Sequence, residues 1–135
     1  MRLSGKVAIV TGGGSGIGRA TSLAFAADGA KVVVVDVLAP GGEETARMIR
    51  DAHGEAIFVK ADVSRAEEVQ AMVEKTMQVF GRLDCAANNA GISPAPISVS
   101  RCPEDDWDRV IDINLKGVFL CMKFEVPRML KGGAG

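Results

Sequence analysis

The stretch VAIVTGGGSGIG, residues 7–18, decides the fold. Its apolar residues 7–10 predict a buried strand, and the glycines after them predict a tight turn into a helix. A helix that begins at such a turn presents free backbone N–H groups and the positive end of its dipole to one point. Gly12, Gly16 and Gly18 therefore predict a loop that binds a phosphate or pyrophosphate. A flexible linker is the alternative, and the strand and helix on either side argue against it.

The composition is that of one globular domain. The chain has 135 residues, of which 47% are apolar and 24% charged, which suits a domain with its own core. The net charge of −1 and the pI near 5.8 argue against nucleic acid or an anionic membrane as the main partner. No apolar run approaches the ~20 residues that span a bilayer, and the first six residues leave no room for a signal peptide. We therefore expect a soluble, cytoplasmic protein.

Neither the cysteines nor the histidine indicates a metal or catalytic site. Cys85, Cys102 and Cys121 are 17 and 19 residues apart, which is not a metal-ligand spacing. In a cytoplasmic protein they are expected to be buried thiols. His53 precedes Gly54 where a helix should end, and a polar or positive residue suits that position. We predict a structural place for His53 and no metal site.

Strands and helices alternate along the chain. Apolar segments predict strands at residues 7–10, 31–36, 56–60 and 83–87. Helices are predicted at residues 16–28 and 42–52, from a capping box at 64–67 to Phe80, and from Pro103 to about Leu130 with Pro127 bending the helix or marking its last turn. Such alternation predicts parallel β-α-β units with right-handed crossovers. We expect an α/β fold with a doubly wound parallel sheet of about four strands, in the order 3-2-1-4, and helices on both faces.

Asp36 closes the second predicted strand, eighteen residues after Gly18. A carboxylate there accepts hydrogen bonds from both hydroxyls of an adenosine ribose and repels a 2′-phosphate. The nearest positions where a phosphate-binding cation would be expected, Ser15 and Val37, are neutral. The sequence therefore favours NAD over NADP. A solvated aspartate at the end of a strand is the alternative.

Two further strand ends carry polar residues. Asp62-Val63 follows the third strand, where the carboxylate would meet an adenine amino group and the backbone N–H a ring nitrogen. Simple turn chemistry at Asp62 is the alternative. Asn88-Asn89 follows the fourth strand, and one buried amide there would join neighbouring strands by hydrogen bonds. The Ala90-Gly91 step would let a cofactor ribose lie close to bare backbone.

Together these motifs resemble one family. TGGGSGIG, Asp36, Asp62-Val63, NNAG at 88–91 and NLKG at 114–117 match the short-chain dehydrogenase/reductase family in order and interval along the whole chain. The resemblance implies a Rossmann-type sheet and hydride transfer between a nicotinamide cofactor and an alcohol or carbonyl. It also implies that Asn114 is the catalytic asparagine, which orders a water and supports a catalytic lysine. An asparagine held by helix packing is the alternative.

The chain departs from the family in one respect. Family members use a serine and a Tyr-x-x-x-Lys pair after a fifth strand, and this chain contains no tyrosine. We therefore expect residues 1–135 to be an incomplete Rossmann domain, the amino-terminal portion of an NAD-dependent oxidoreductase, which alone binds NAD at best. A stand-alone, non-catalytic module for NAD or another adenine nucleotide is one alternative. A methyltransferase that uses S-adenosylmethionine is another, although it would not need the motif at 114–117.

The expected ligands are NAD(H) and a small alcohol or carbonyl substrate. In the family the last helix packs against a partner subunit, so we expect a homo-oligomer formed through that helix. Alone, the chain should expose the edge of its fourth strand and apolar side chains of the last helix. The expected cofactor-binding residues are Gly12, Ser15, Gly16, Ile17, Gly18, Asp36, Asp62, Val63, Asn89 and Gly91, with Asn114 as the catalytic candidate and no metal ligand.

Overall fold

A computed structural model describes residues 1–133, so the last two residues of the predicted domain 1–135 lie outside the described part. The strands are β1 (Val7–Thr11), β2 (Lys31–Asp36), β3 (Ala56–Lys60) and β4 (Cys85–Asn88). The helices are α1 (Gly16–Ala27), α2 (Ala39–Asp51), α3 (Ala66–Phe80), α4 (Glu104–Ile111) and α5 (Gly117–Lys131). A short 3₁₀ turn, Val99–Arg101, precedes α4, and a π-helical turn, Asp112–Lys116, joins α4 to α5.

The strands form one parallel sheet in the order β3-β2-β1-β4. This arrangement confirms the predicted α/β fold and strand order. β1 lies inside the sheet and pairs Thr11 with Val35 of β2 on one side and with Asn88 of β4 on the other. Because the strands are parallel and in this register, the turns that follow them emerge at the same edge of the sheet.

The inner strands β1 and β2 are buried on both faces. Ile9, Val33 and Val35 pack with residues of α3 and α5 on one face, whereas Val10 and Val34 pack with residues of α1 and α2 on the other. Successive side chains of a strand point to opposite faces, so the valine run of β2 serves both layers. Burying one such side chain stabilises the fold by about 1.5–3 kcal/mol. The continuous apolar runs of β1 and β2 therefore stabilise the part of the sheet from which the turns after the strands emerge.

Two helices begin at positions that differ from the predictions. The predicted capping box at residues 64–67 is wrong, because Ser64 Oγ donates to Asp62 Oδ1 at 2.6 Å and α3 begins only after Arg65. A local side-chain bond of this kind competes with helix capping for the same hydroxyl. α2 begins at Ala39 rather than at residue 42, since Pro40 suits the first turn of a helix.

The last helical stretch is also less regular than predicted. Pro103 lies just before α4 and not in its first position. The π-helical turn interrupts the stretch between α4 and α5. Pro127 lies inside α5, which continues to Lys131.

The cysteines only partly follow the prediction of buried thiols. Cys121 is buried, but Cys85 and Cys102 are half-buried, because β4 lies at an edge of the sheet and Cys102 lies in the loop before α4. His53 lies two residues after the last residue of α2, with a φ of +65°, at the helix end where the sequence predicts it.

The β4 edge and the outer face of α5 are open in the described part of the chain. β4 pairs only with β1 there, as the sequence analysis predicts. No helix within residues 1–133 combines the length and the apolar character needed to cross a membrane. The exposed apolar side chains of α5 and of the turn before it are Leu115, Phe119, Met122, Val126 and Leu130.

Candidate functional site

A cleft of about 420 Å³ opens at the carboxyl edge of the sheet. It lies among the turns that follow all of the strands β1 to β4. Every residue predicted to bind the cofactor lines this cleft except Gly18. The structure therefore brings together residues that are spread along most of the chain. Seven apolar residues outside the predicted cofactor-binding set also line the cleft: Val35, Val37, Leu38, Ala61, Ala90, Ile92 and Ile113.

Glycine backbone shapes the turn after β1. Gly12 and Gly16 have φ angles of +64° and +51°, a region that residues with a side chain rarely adopt. A Cβ on Gly18 would lie 2.0 Å from the carbonyl oxygen of Gly12, so Gly18 allows α1 to pack on the turn instead of lining the cleft. A Cβ on Gly16 would meet no atom within 4 Å. The start of α1 therefore faces open space, where its backbone N–H groups can receive an anion.

Asn89 joins the ends of β1 and β4. Its Nδ2 donates to the carbonyl oxygen of Thr11 at 3.2 Å, and the Ala90 N–H donates to Thr11 Oγ1 at 3.1 Å. Asn88, in contrast, belongs to α5's side of the sheet, where its Nδ2 donates to Glu125 Oε2 at 2.9 Å. The amide that joins neighbouring strands is therefore Asn89, which also lines the cleft.

The backbone holds the carboxylate of Asp36 in place at the end of β2. Oδ2 accepts a hydrogen bond from the Gly14 N–H at 2.9 Å, and Oδ1 accepts one from the Leu38 N–H at 3.0 Å. A carboxylate has about four acceptor sites, so each oxygen keeps capacity for a further donor. The carboxylate is thus oriented and can accept two hydroxyl groups from the cleft.

Asp62 shows the turn chemistry that the sequence analysis names as its alternative. Its Oδ1 accepts hydrogen bonds from the Ser64 N–H at 2.9 Å and from Ser64 Oγ at 2.6 Å. Its neighbour Val63 is buried and packs closely on Gly117. A Cβ on Gly117 would lie 2.7 Å from Val63 Cγ2. Both residues still line the cleft, and the adenine contact predicted for them stays a prediction.

Asn114 lies in the π-helical turn and holds the loop that follows β4. Its Oδ1 accepts from the Ile92 N–H and its Nδ2 donates to the Ile92 carbonyl oxygen, both at 2.8 Å. The amide therefore binds Ile92 as a neighbouring strand would, and Ile92 rather than Asn114 lines the cleft. This geometry supports a structural use of the side chain, and the catalytic role stays a prediction.

Arg19 belongs to this region although the sequence analysis does not include it. Its Nη2 donates to the Gly14 carbonyl oxygen at 2.7 Å, and its Nε donates to Thr45 Oγ1 at 3.0 Å. A positive charge in the first turn of a helix opposes the helix dipole. That mismatch is the one signal in the sequence that singles out Arg19.

A family model described as short chain dehydrogenase matches residues 6–135. A short chain dehydrogenase/reductase of Aspergillus oryzae, astE, is 48% identical over 98% of this chain and 51% of its own length. A 2,5-dichloro-2,5-cyclohexadiene-1,4-diol dehydrogenase of Sphingobium indicum is 41% identical over 97% of this chain and 51% of its own length. The crystal structure of levodione reductase matches with a TM-score of 0.95 and 38% identity, over 99% of this chain and 53% of that one. The chain spans about half the length of these curated relatives.

Proposed function

Because the chain belongs to the short-chain dehydrogenase/reductase family, we propose that it forms the cofactor-binding part of an NAD-dependent oxidoreductase. The whole protein would transfer a hydride between NAD(H) and an alcohol or carbonyl substrate. One observation carries the proposal. The glycine turn, Asp36 and Asn89 line a single cleft at the carboxyl edge of the sheet, which is where open α/β sheets bind dinucleotides.

The residues of the cleft suit the successive parts of a dinucleotide. The start of α1 at Gly16 would receive the pyrophosphate, because helix N–H groups and the helix dipole both favour an anion. Asp36 would accept hydrogen bonds from the adenosine ribose, and Asp62 with Val63 would contact the adenine. Gly91 would let the second ribose lie close to the backbone. NAD, when bound, supplies the nicotinamide that accepts or donates the hydride.

The orientation of Asp36 supports NAD rather than NADP. Its two oxygens are each held by one backbone N–H, which leaves them free to accept the two ribose hydroxyls. A 2′-phosphate would bring negative charge against the same carboxylate. The neighbouring positions Ser15 and Val37 carry no charge that would offset this repulsion.

Calorimetric titration of the full chain with NAD and with NADP tests the proposal. Wild type should bind NAD more tightly. Asp36→Ala should lower NAD affinity about 10- to 100-fold, because hydrogen bonds to a charged group contribute about 1.5–3 kcal/mol. Adding Val37→Arg should raise NADP affinity. Asp51→Ala, an exposed aspartate at the far end of α2, is the matched control, and equal or tighter NADP binding by wild type would refute the assignment.

A non-catalytic nucleotide-binding module is the second candidate function. Residues 1–135 hold no tyrosine, and the family's proton donor and acceptor is a tyrosine. General acid–base help contributes about 10²–10⁴-fold to such reactions. We therefore expect the 135-residue chain to bind NAD without producing NADH from secondary alcohols. Both candidates predict binding, and turnover by the whole protein separates them.

The exposed side of α5 supports a second copy of the chain as partner. Leu115, Phe119, Met122 and Val126 are spaced three or four residues apart and are at least 40% exposed. This spacing places them on one face of the helix, and a contiguous apolar face marks a protein–protein contact. We propose a homo-oligomer formed through α5. The cytoplasmic location stays a prediction from the sequence.

A further inference from the structure

The backbone of Gly14 is hydrogen-bonded on both sides, through the N–H of one peptide group and the carbonyl oxygen of the next. Its N–H donates to Asp36 Oδ2 at 2.9 Å, and its carbonyl oxygen accepts from Arg19 Nη2 at 2.7 Å. The short second distance is typical of a hydrogen bond from a charged donor. Gly14 thus connects the guanidinium group of α1 with the carboxylate at the end of β2.

Arg19 extends this connection to α2. Its Nη2 also donates to the carbonyl oxygen of Gly41 at 3.3 Å, and its Nε donates to Thr45 Oγ1 at 3.0 Å. Thr45 is fully buried and donates its own hydroxyl to Gly41. None of the ion pairs within residues 1–133 includes Arg19. The guanidinium group therefore bonds neutral acceptors that fix its position.

The glycine turn and the start of α2 pack backbone against backbone. A Cβ on Gly14 would lie 2.8 Å from Asp36 Oδ2 and 2.9 Å from the Gly42 nitrogen. A Cβ on Gly41 would lie 2.7 Å from the Gly14 oxygen. Glycines bring no side chain of their own to hold such a contact. Arg19 supplies the side-chain donors that join the two segments.

We propose that Arg19 is a positioning residue that sets the preference of this site for NAD. By holding the carbonyl group of Gly14 it fixes the backbone of that residue, whose N–H, in the preceding peptide group, orients the Asp36 carboxylate toward the adenosine ribose. The inference rests on the proposed function, because it assumes that the cleft binds NAD through Asp36. Arg19 itself touches no part of the cofactor in this role.

The change in nucleotide preference distinguishes a positioning role of Arg19 from direct binding of the cofactor by Arg19. An arginine near the adenosine ribose ordinarily favours the 2′-phosphate of NADP, and its loss would then weaken NADP. Here Nε and Nη2 of Arg19 are engaged by Thr45, Gly14 and Gly41. Loss of Arg19 should therefore weaken NAD and leave the weaker NADP binding nearly unchanged.

The test compares Arg19→Met with wild type, in the full chain and by calorimetric titration with NAD and NADP. Arg19→Met should lower NAD affinity about tenfold, the size of effect that a lost charged hydrogen bond allows. In an Asp36→Ala background the same change should have little further effect on NAD, because residues that act through one another are not additive. Arg19→Lys should recover part of the affinity, since one ammonium group can bond Gly14 but lacks the planar fork that also reaches Thr45. Arg47→Met, an exposed arginine of α2, is the matched control.

A milder variant keeps the test usable if Arg19→Met does not fold. Thr45→Val removes the acceptor of Arg19 Nε together with the hydroxyl's bond to Gly41 but keeps Arg19, and it should lower the ratio of NAD to NADP affinity in the same direction. Equal losses for both nucleotides, a larger loss for NADP, or additive effects with Asp36→Ala would overturn the inference alone. Wild type that binds neither nucleotide would overturn the proposed function, and this inference with it.

Discussion

The side of the molecule around the glycine turn, residues 12–18, is called the glycine-turn side, and the side around α5, residues 117–131, is called the α5 side. The polar groups of the two sides are hydrogen-bonded in opposite ways. On the glycine-turn side, Arg19, Asp36 and Asn89 all hydrogen-bond to backbone groups. On the α5 side, Asn88 and Glu125 share one hydrogen bond. Their remaining oxygens, Asn88 Oδ1 and Glu125 Oε1, are buried without a hydrogen-bond partner in the part of the chain that is described. The glycine-turn side is therefore self-contained, whereas the α5 side has polar groups that call for further contacts.

The solvent exposure of the two faces of α5 also distinguishes it from the glycine-turn side. Phe119 on its outer face is 59% exposed, while Glu125 on its inner face is only 1% exposed. An apolar stripe in water and a carboxyl group in the interior invert the usual distribution of residues. The comparison shows that local backbone packing builds the cleft, whereas α5 has an exposed apolar face and faces buried oxygens without a partner in the described residues.

Gly18→Ala should have the largest effect on stability, because it adds a side chain on the glycine-turn side, where backbone packs on backbone. The new Cβ would lie 2.0 Å from the Gly12 oxygen, so the turn or the start of α1 must move. Overpacking a buried site costs about 1–3 kcal/mol and occasionally more, and we expect a loss of about 3 kcal/mol in the free energy of unfolding. Urea denaturation followed by circular dichroism measures it.

Gly132→Ala is the matched control for this substitution. A Cβ at Gly132 would meet its nearest atom at 3.4 Å, an ordinary contact that should cost little. A Gly18→Ala chain with wild-type stability would show that the turn is adaptable, and the contrast between the two sides would be lost.

The glycine-turn side could be predicted from the sequence because the residues that build it are close together in the chain. The strand, the glycine turn and the helix follow one another within residues 7–18, and Asp36 takes its place from the end of the next strand. The strand order confirms the reading of the alternating pattern, and the match to the family model confirms the resemblance. The roles of the individual site residues stay predictions.

Contacts between residues far apart in the chain could not be predicted in the same way. Arg19 meets Thr45 across 26 residues, and Asn88 meets Glu125 across 37, so no short pattern contains both partners. At Ser64 the difficulty is local, since the same hydroxyl can cap a helix or bond to Asp62, and small energy differences decide between these. The sequence therefore predicts architecture better than it predicts which polar group bonds to which.

A charge on the outer face of α5 tests whether that side binds another copy of the chain. Phe119→Lys should raise the dissociation constant for self-association about tenfold or more, since a central interface residue typically contributes over ~1 kcal/mol. The stability of the single chain should change little, because Phe119 is 59% exposed. Analytical ultracentrifugation across a concentration series measures the association. Val79→Lys, on α3 and 42% exposed, is the control, and a wild-type chain that stays monomeric would remove the proposed role of α5.

Glu125→Gln tests the buried oxygens of the α5 side and should have the smallest effect. Burial raises the pKa of Glu125, and the hydrogen bond from Asn88 only partly offsets this. The neighbouring Cys121 does not titrate in the same range, since burial and then the charge of Glu125 raise its pKa to about 12. A carboxyl group with a raised pKa contributes its full stability below its unfolded pKa of about 4.3 and loses it as the pH rises through the folded value. Wild type should therefore lose stability as the pH rises through this window.

Glutamine should remove that dependence, because its amide is neutral at every pH. It can also donate to Asn88 Oδ1 while its own oxygen accepts from Asn88 Nδ2, which gives both of the facing amides a partner. We expect Glu125→Gln to match wild type near pH 4 and to exceed it by about 1 kcal/mol at neutral pH, the ordinary value of one hydrogen bond. Urea denaturation from pH 4 to 8 measures the difference, with Glu74→Gln, an exposed glutamate of α3, as the control. Parallel pH profiles for wild type and Glu125→Gln would mean that the carboxylate is already compensated by other contacts, and the α5 side would then be as self-contained as the glycine turn.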